Sequence, residues 1–401
     1  MTSKEIKSIN PNTLNLPIFQ NEKDAVIVKR MHLNVPVLEN ENDVETEKKV
    51  FFKQGLFNMT SDKNYFKSLE QLESNNYRLI HNVFVGEDKI YLPLYEAKLT
   101  SQYNHRHGSF ENVPVSNRFG IRAQTNKPTI DNLRNSTWPI IPRYWVMNEA
   151  IYNSKPNEWK FKWFLGFRNA ISSVADSRSV SFTIIPYSGV GNSMPLLFVS
   201  EAISSALVLA NFNSIILDYI TRQKASGGNL NFYVVKQLPV IPIETYLNGF
   251  LKSVLNAVFE LVYNSWDIKA FADDVWKEAD ADLRAAIQQQ WEANQAVTGG
   301  HAWAPPEWCE IDTEGCPLPP FKWDEERRAV LKAELDAIYA KLYGLTTEEL
   351  RYILDPQDVY GPDFPGETFR VLKEKEIKQF GEYRTRRLVL EAWDHLNQEG
   401  K

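Results

Sequence analysis

The chain has 401 residues, 43% of them hydrophobic, and a net charge of -6, which is enough for two or three cores of ordinary domain size and too apolar for a disordered polypeptide. It contains no apolar run near the ~18 to 20 residues of a membrane span, and its start, MTSKEIKSIN, lacks the apolar core of a signal peptide, so a cytoplasmic protein is expected. The only cysteines, Cys309 and Cys316, exclude a disulfide framework and fit a reducing compartment.

Along the chain, the first 20 residues are rich in Asn and Pro and read as an extended arm. Asp24 to His32 reads as a short helix that Val35-Pro36-Val37-Leu38 ends, and the charged run ENENDVETEKK reads as a solvated loop. An arm with one short helix is therefore expected over residues 1–50. An α/β domain follows over 51–245. Arg78 to Leu94 alternates as a hairpin turning at Gly86-Glu87-Asp88, and the polar stretch Asn104 to Ser136 reads as a long loop. Trp159 to Arg168, Ser179 to Pro186 and Pro195 to Val199 read as strands, with the glycine-bearing turn Tyr187 to Ser193 between the last two. Ala202 to Arg222 has the spacing of one helix, stopped by Ser226-Gly227-Gly228-Asn229, and NLNFYVVKQLPVIPI reads as one more strand. The period then becomes helical and a helical domain is expected over 246–401. Its clearest helices are Trp266 to Gln295 and Asp324 to Leu342, with Asp324 as N-cap, then a capping box of Thr346 and Glu349, and a final helix from Lys373 to Leu396. The expected fold class is α/β in the α+β sense: a mixed-sheet domain followed by a mainly helical C-terminal region.

Charge is uneven. Glu96 to Val240 holds 15 Lys and Arg against 8 Asp and Glu, a local +7 that leaves -13 for the rest. A basic middle interleaved with Trp, Tyr, Phe and Asn has the character of a phosphate-tracking surface. The acidic helices from Leu247 onward repel DNA and are expected to form protein contacts or a frame. GxGxxG, Walker, GxSxG and HExxH motifs are absent from the sequence. Gly189-Val190-Gly191-Asn192-Ser193 is the nearest approach to a phosphate cradle, although two glycines in a strand connection usually make a plain turn. His105-Arg106-His107 has an HxH spacing, and Cys309 and Cys316 follow His301, but neither group has a full ligand set, and no metal is expected.

Eight blocks resemble, in order and approximate spacing, the C-terminal half of type IIG-like and DISARM-like adenine-specific DNA methyltransferases. They are NPNTLNLPIF with DAVIVKR and VPVL, YLPLYEAKLTSQYNHR, WFLGFRNAISSVADSRSV, NSMPLLF, NFNSIILDYITRQKASGGNLNFYVVKQLPVIP, and the long stretch from LDPQDVYGPDF to LVLEAW. The run from Asn211 to Pro242 is also similar to the closing segment of type I specificity subunits. The resemblance implies a target-recognition region that reads double-stranded DNA in a restriction-modification or phage-defence system. It also implies a catalytic domain carrying a glycine-rich S-adenosylmethionine loop and an Asn/Asp-Pro-Pro-Tyr/Phe motif that grips a flipped adenine. This sequence has neither; Asn10-Pro11-Asn12-Thr13 and Asp355-Pro356-Gln357-Asp358 only echo the tetrapeptide. The chain is therefore expected to be a split specificity subunit, a remnant or a fragment, with no cofactor of its own and with S-adenosylmethionine in a separate methyltransferase domain or subunit.

The charged loops supply the expected DNA contacts: His105, Arg106, Arg118, Arg122, Arg168, Arg178, Arg222, Gln223 and Lys224, with Gly227 and Gly228 allowing close backbone approach. Arg and Gln suit base edges and Lys suits phosphate. Two alternatives stand beside this reading. One is a protein-interaction scaffold of a defence complex; the other is a magnesium-dependent nuclease using Glu96 and Lys98, with Asp88 upstream.

Overall fold

Strand Trp163–Phe167 is buried at every position, as expected for an apolar run without alternation. It is the inner strand of an antiparallel four-stranded sheet in the order 50–53, 196–199, 163–167, 182–186. A second sheet has the order 66–67, 145–147, 90–95, 83–85, 78–80, and Gly189–Val190 adds to it in parallel beside Leu94–Tyr95. The computed structural model describes residues 2–17, 19, 21–42, 50–120, 123–172, 175–225, 228–364 and 368–398. With 47% helix and 13% strand the fold is mixed α/β. Among the described residues no single helix is long and apolar enough to cross a membrane.

The two sheets are joined through the glycine-bearing turn. Leu56 and Phe57 both donate their N–H to Val190 O, and Gly55 ahead of them has φ +66°. A Cβ on Gly55 would lie 2.6 Å from Gly191 O, so the crossing of these two backbones requires glycine.

The expected hairpin is there as strands Val83–Val85 and Ile90–Tyr95, and Arg78–Ile80 extends it into a three-stranded meander. The expected single helix from Ala202 to Arg222 is two, Ala202–Asn213 and Ile215–Lys224, bent by 63°. Ser214 makes the break: it is extended (ψ 146°), and its Oγ accepts from Leu217 N at 3.2 Å while donating to Asn211 O at 2.7 Å. An N-cap serine inside an apolar run restarts a helix there. The arm is not wholly extended either, because Thr2 and Glu5 close a capping box over helix Ser3–Ile9. The strand expected in NLNFYVVKQLPVIPI is a short helix, Phe232–Lys236, followed by an extended exit in which Val240 N donates to Pro36 O. The last helix is divided at Gly381 (φ +78°) into Arg370–Phe380 and Arg384–Gln398, since only a residue free to turn left-handed caps the first. The helix expected from Trp266 is a short turn, Trp266–Ile268, and then helices Lys269–Glu278 and Ala281–Thr298. Asp324 caps helix Glu325–Leu342, and the Thr346–Glu349 box opens Thr347–Leu354, as the sequence indicates.

One hydrophobic core runs from Ile27 to Trp393 across the three expected segments. Phe182 and Phe212 stack at 4.2 Å between a strand and a helix, and Trp163 meets Phe271 edge-on at 5.1 Å between a strand and the C-terminal helices. A smaller cluster of Leu72, Phe84, Tyr91 and Trp145 sits behind the meander.

Within the polar stretch Asn104 to Ser136, one residue gathers several described segments. Arg106 is 0% exposed, and its guanidinium donates to the carbonyls of Asn135 (2.8 Å), Trp138 (3.2 Å), Leu133 (2.9 Å) and Asn264 (3.0 Å) and to Asn264 Oδ1 (3.0 Å). Replacing Arg106 by Met leaves several buried carbonyls without donors, at about 1 to 3 kcal/mol each. The expected outcome is a lowered urea midpoint for Arg106→Met, and no rescue by Arg106→Lys, whose point charge lacks the planar fork; a midpoint within error of wild type would contradict it.

Candidate nucleic-acid interface

The structure brings few of the sequence-selected cations together at a surface. Beside Arg106, His105 is buried, with Nε2 3.2 Å from Ser265 Oγ and 3.5 Å from Asp267 Oδ2. Asp267 also meets His81 Nε2 at 2.5 Å, and the His81 ring stacks on Trp308 at 3.9 Å. Burial works against the Asp267 charge, but the two histidines hold its carboxyl well below the usual range. This serine, histidine and aspartate do not form a relay, because both oxygens face the same ring nitrogen of a buried His105.

Arg178 and Arg222 are turned into a second internal network at the helix break. Asp218 Oδ1 accepts from Arg222 Nε at 2.9 Å, and its Oδ2 accepts from Ser179 N at 2.9 Å with Arg178 Nε at 3.3 Å. Arg222 further donates to Thr368 O (2.8 Å) and Asp176 O (2.9 Å) and lies over the Phe369 ring. Asp336 faces Arg178 Nη1 at 3.5 Å and accepts from Ile215 N at 2.6 Å. Lys224, at the end of the same helix, is half-buried, donates to Ile9 O (2.7 Å) and Gln237 O (2.5 Å), and is held well below its ordinary pKa by desolvation. Gln223 is buried. The role expected of the Arg222 to Lys224 segment at bases and phosphates is thus taken up by internal bonds, for which a helix end packed in the core has more need than a surface loop. Gly228 is exposed with φ +90° and pairs with Ile171; Arg122 and Gly227 lie outside the described residues.

The surface that remains is built by the 104–136 loop. Residues of 113–120 and 123–126 line an open groove of about 480 Å³ whose wall carries Ser116, Asn117, Gln124, Thr125 and Asn126. Short helix Val115–Arg118 forms one side. Arg118 buttresses it by donating to Val113 O (2.9 Å) and pairing with Glu70 at 3.0 Å. The other side is laid down by the exchange of N–H and O between Ser109 and Asn126. Next to Asn126 in the chain, exposed Lys127 reaches His107 Nε2 at 2.5 Å. His107 is pushed down to about 4, by burial first and then by the charges of Lys127, Lys375 and Arg168, so cations from three parts of the chain act on one imidazole. Arg168 is paired with Asp176 at 2.7 Å, while Lys375 stands exposed on helix Arg370–Phe380. The amide density of the loop is visible in the sequence; the arrival of Lys375 beside Lys127 is not, because about 250 residues separate them.

Glu96 and Lys98 do not form a metal centre. Both Glu96 oxygens accept from Arg143, at 2.6 and 2.7 Å, and Lys98 Nζ donates to Ala123 O at 3.0 Å. The bidentate arginine occupies the lone pairs that a magnesium ion would need. Among the described residues no cluster of three or more His, Cys, Asp or Glu could hold a metal ion.

The folded His107 sits below the ordinary histidine value of about 6.5, so the unfolded chain binds more protons between about pH 6.5 and its folded value of about 4. Its contribution to stability is full above that window and declines on acidification. The stability difference between wild type and His107→Gln, from urea titrations at about pH 7.5 and 5, should therefore shrink in wild type's disfavour at the lower pH; identical pH slopes would refute the assignment. No protein-family model matches this chain, and no curated protein matches it either.

Proposed function

We propose that the chain recognises double-stranded DNA sequence-specifically, as the specificity part of an adenine-N6 methyltransferase or restriction-modification system acting in the cytoplasm. The observation that carries this reading is the groove lined by residues of 113–120 and 123–126, an amide- and hydroxyl-lined concavity on an anchored loop, with exposed Lys127 next to Asn126 in the chain and Lys375 and Arg168 in electrostatic range of neighbouring His107. Asn and Gln amides can pair bidentately with adenine and hydroxyls can serve any base, whereas lysines hold phosphates without regard to sequence. In this reading Gln124 and Asn117 read base edges, and Lys127 and Lys375 fix the register. Supporting it from the sequence are the ordered blocks that resemble target-recognition regions. Methyl transfer belongs to a separate domain or subunit that binds S-adenosylmethionine.

Fluorescence anisotropy on sites selected from a random duplex pool is the test. Affinity should fall steeply with salt, each neutralised phosphate contributing about -0.9 to the log–log slope. Gln124→Ala should cost about 1 to 3 kcal/mol on the selected site and relax one position. Lys375→Ala should weaken all duplexes alike and reduce the slope by about one. Absence of binding at micromolar protein, or binding indifferent to salt, overturns the proposal. With labelled S-adenosylmethionine and duplex the chain alone should transfer no methyl group, and incorporation would place the catalytic part within it.

A further inference from the structure

A larger cleft lies elsewhere. It has a volume of about 730 Å³ and opens where the two sheets meet. One wall is formed by Ile90 and Leu92 of the meander and by helix Asn148–Ser154, the other by residues 159–162 and Tyr187 at the end of strand Phe182–Pro186. Tyr152 stands in it 65% exposed, with Lys155 Nζ 5.0 Å from its ring centroid. Lys155 is held there because it also donates to Trp159 O at 2.8 Å. Tyr187 is near enough for Tyr152 to act on its hydroxyl, which burial and that neighbour hold above the ordinary value. Lys160 lies over the Phe161 ring at 5.2 Å, and Lys162 pairs with Glu310 at the rim.

This combination selects its ligand by chemistry. The rings offer planar apolar faces, which an inorganic anion does not use. The three lysines outnumber the two carboxylates, Glu149 and Glu310, so the ligand carries negative charge. Asn148 and Glu149, both exposed, offer an amide and a carboxylate that match the polar edge of a base. A planar heteroaromatic ring joined to a phosphate meets all three conditions, and aromatic platforms beside a basic track are how unpaired strands are held. We propose that this cleft binds a nucleotide of single-stranded nucleic acid, its base against Tyr152 and its phosphate at Lys160. The site shares no residue with the duplex groove and does not rest on the duplex reading.

The test uses the full chain, a fluorescein-labelled single-stranded DNA 12-mer of mixed sequence and a glutamate-tyrosine peptide of equal charge. Tyr152→Ala should weaken oligonucleotide binding about tenfold, the scale of one stacked base, and Lys160→Glu should weaken it and reduce its salt slope. Because Tyr152 is exposed, an unchanged thermal melt is expected for that variant. Gln124→Ala should leave single-strand binding intact, and Tyr152→Ala should leave duplex binding intact, so loss of one activity is distinguishable from loss of the other. The proposal is overturned if oligonucleotide affinity is unchanged by Tyr152→Ala, or if the peptide binds as tightly as the oligonucleotide with the same dependence on Tyr152 and Lys160.

Discussion

A charged guanidinium in the protein interior governs how the polar half of this fold is arranged. Arg106 is enclosed, and desolvation pushes its pKa down to about 10, so it remains a cation at neutral pH. Its charge is met by oxygens of backbone and amide rather than by a directly bound carboxylate. Arginine suits that environment because its donors lie in one plane in a rigid fork. Three acceptors, at 133, 135 and 138, belong to one loop, and Asn264 closes helix Leu251–Val262. The loop thus docks on the C-terminal helices through the residue that a sequence reader would place on DNA. Residues of 113–120 and 123–126, between these anchors, line the groove.

The same logic explains where the local excess of positive charge goes. Arg178 and Arg222 are spent near a break between two core helices, satisfying Asp218, Asp336 and the carbonyls of Thr368 and Asp176, and Lys224 at the end of the second helix bonds the carbonyls of Ile9 and Gln237. Removing charges from water is costly, and the network is tolerable because nearly every oxygen and nitrogen in it has a partner. Helices of the acidic C-terminal part supply Asp336 to this network, so the acidic frame and the basic middle neutralise one another internally. A composition that looks like a nucleic-acid surface is in part an internal salt lattice.

Two concavities on the described surface differ in chemistry. The groove is polar, and its cations lie beside it; the cleft is aromatic, and its lysines stand on its walls. Polar edges suit the rim of a stacked base pair, and exposed rings suit the face of an unstacked base. The second surface was concealed in the sequence by its strand-like context, WKFKWFLGF, in which Trp159 and Phe161 read as core and do face inward.

Local chemistry alone determined much of the framework. The Thr346–Glu349 and Asp324 caps, the helix from Glu22, the turn at residues 86–89 and the three apolar strands depend on neighbours a few positions away, and each is where the sequence places it. Short-range signals failed where a long-range bond decided the outcome. The helix of continuous apolar spacing breaks at Ser214, where Ile215 N at the restart donates to Asp336 Oδ1, and around 232–236 the extended neighbours pair with residues 36–39 across the chain. The site shows the same division. That residues 104–136 would carry polar function-bearing groups follows from composition, but which cations face solvent does not. An arginine's direction is set by whichever acceptors the tertiary fold leaves unpaired, and those at Leu133, Asn264 and Thr368 come within reach only once distant segments have met.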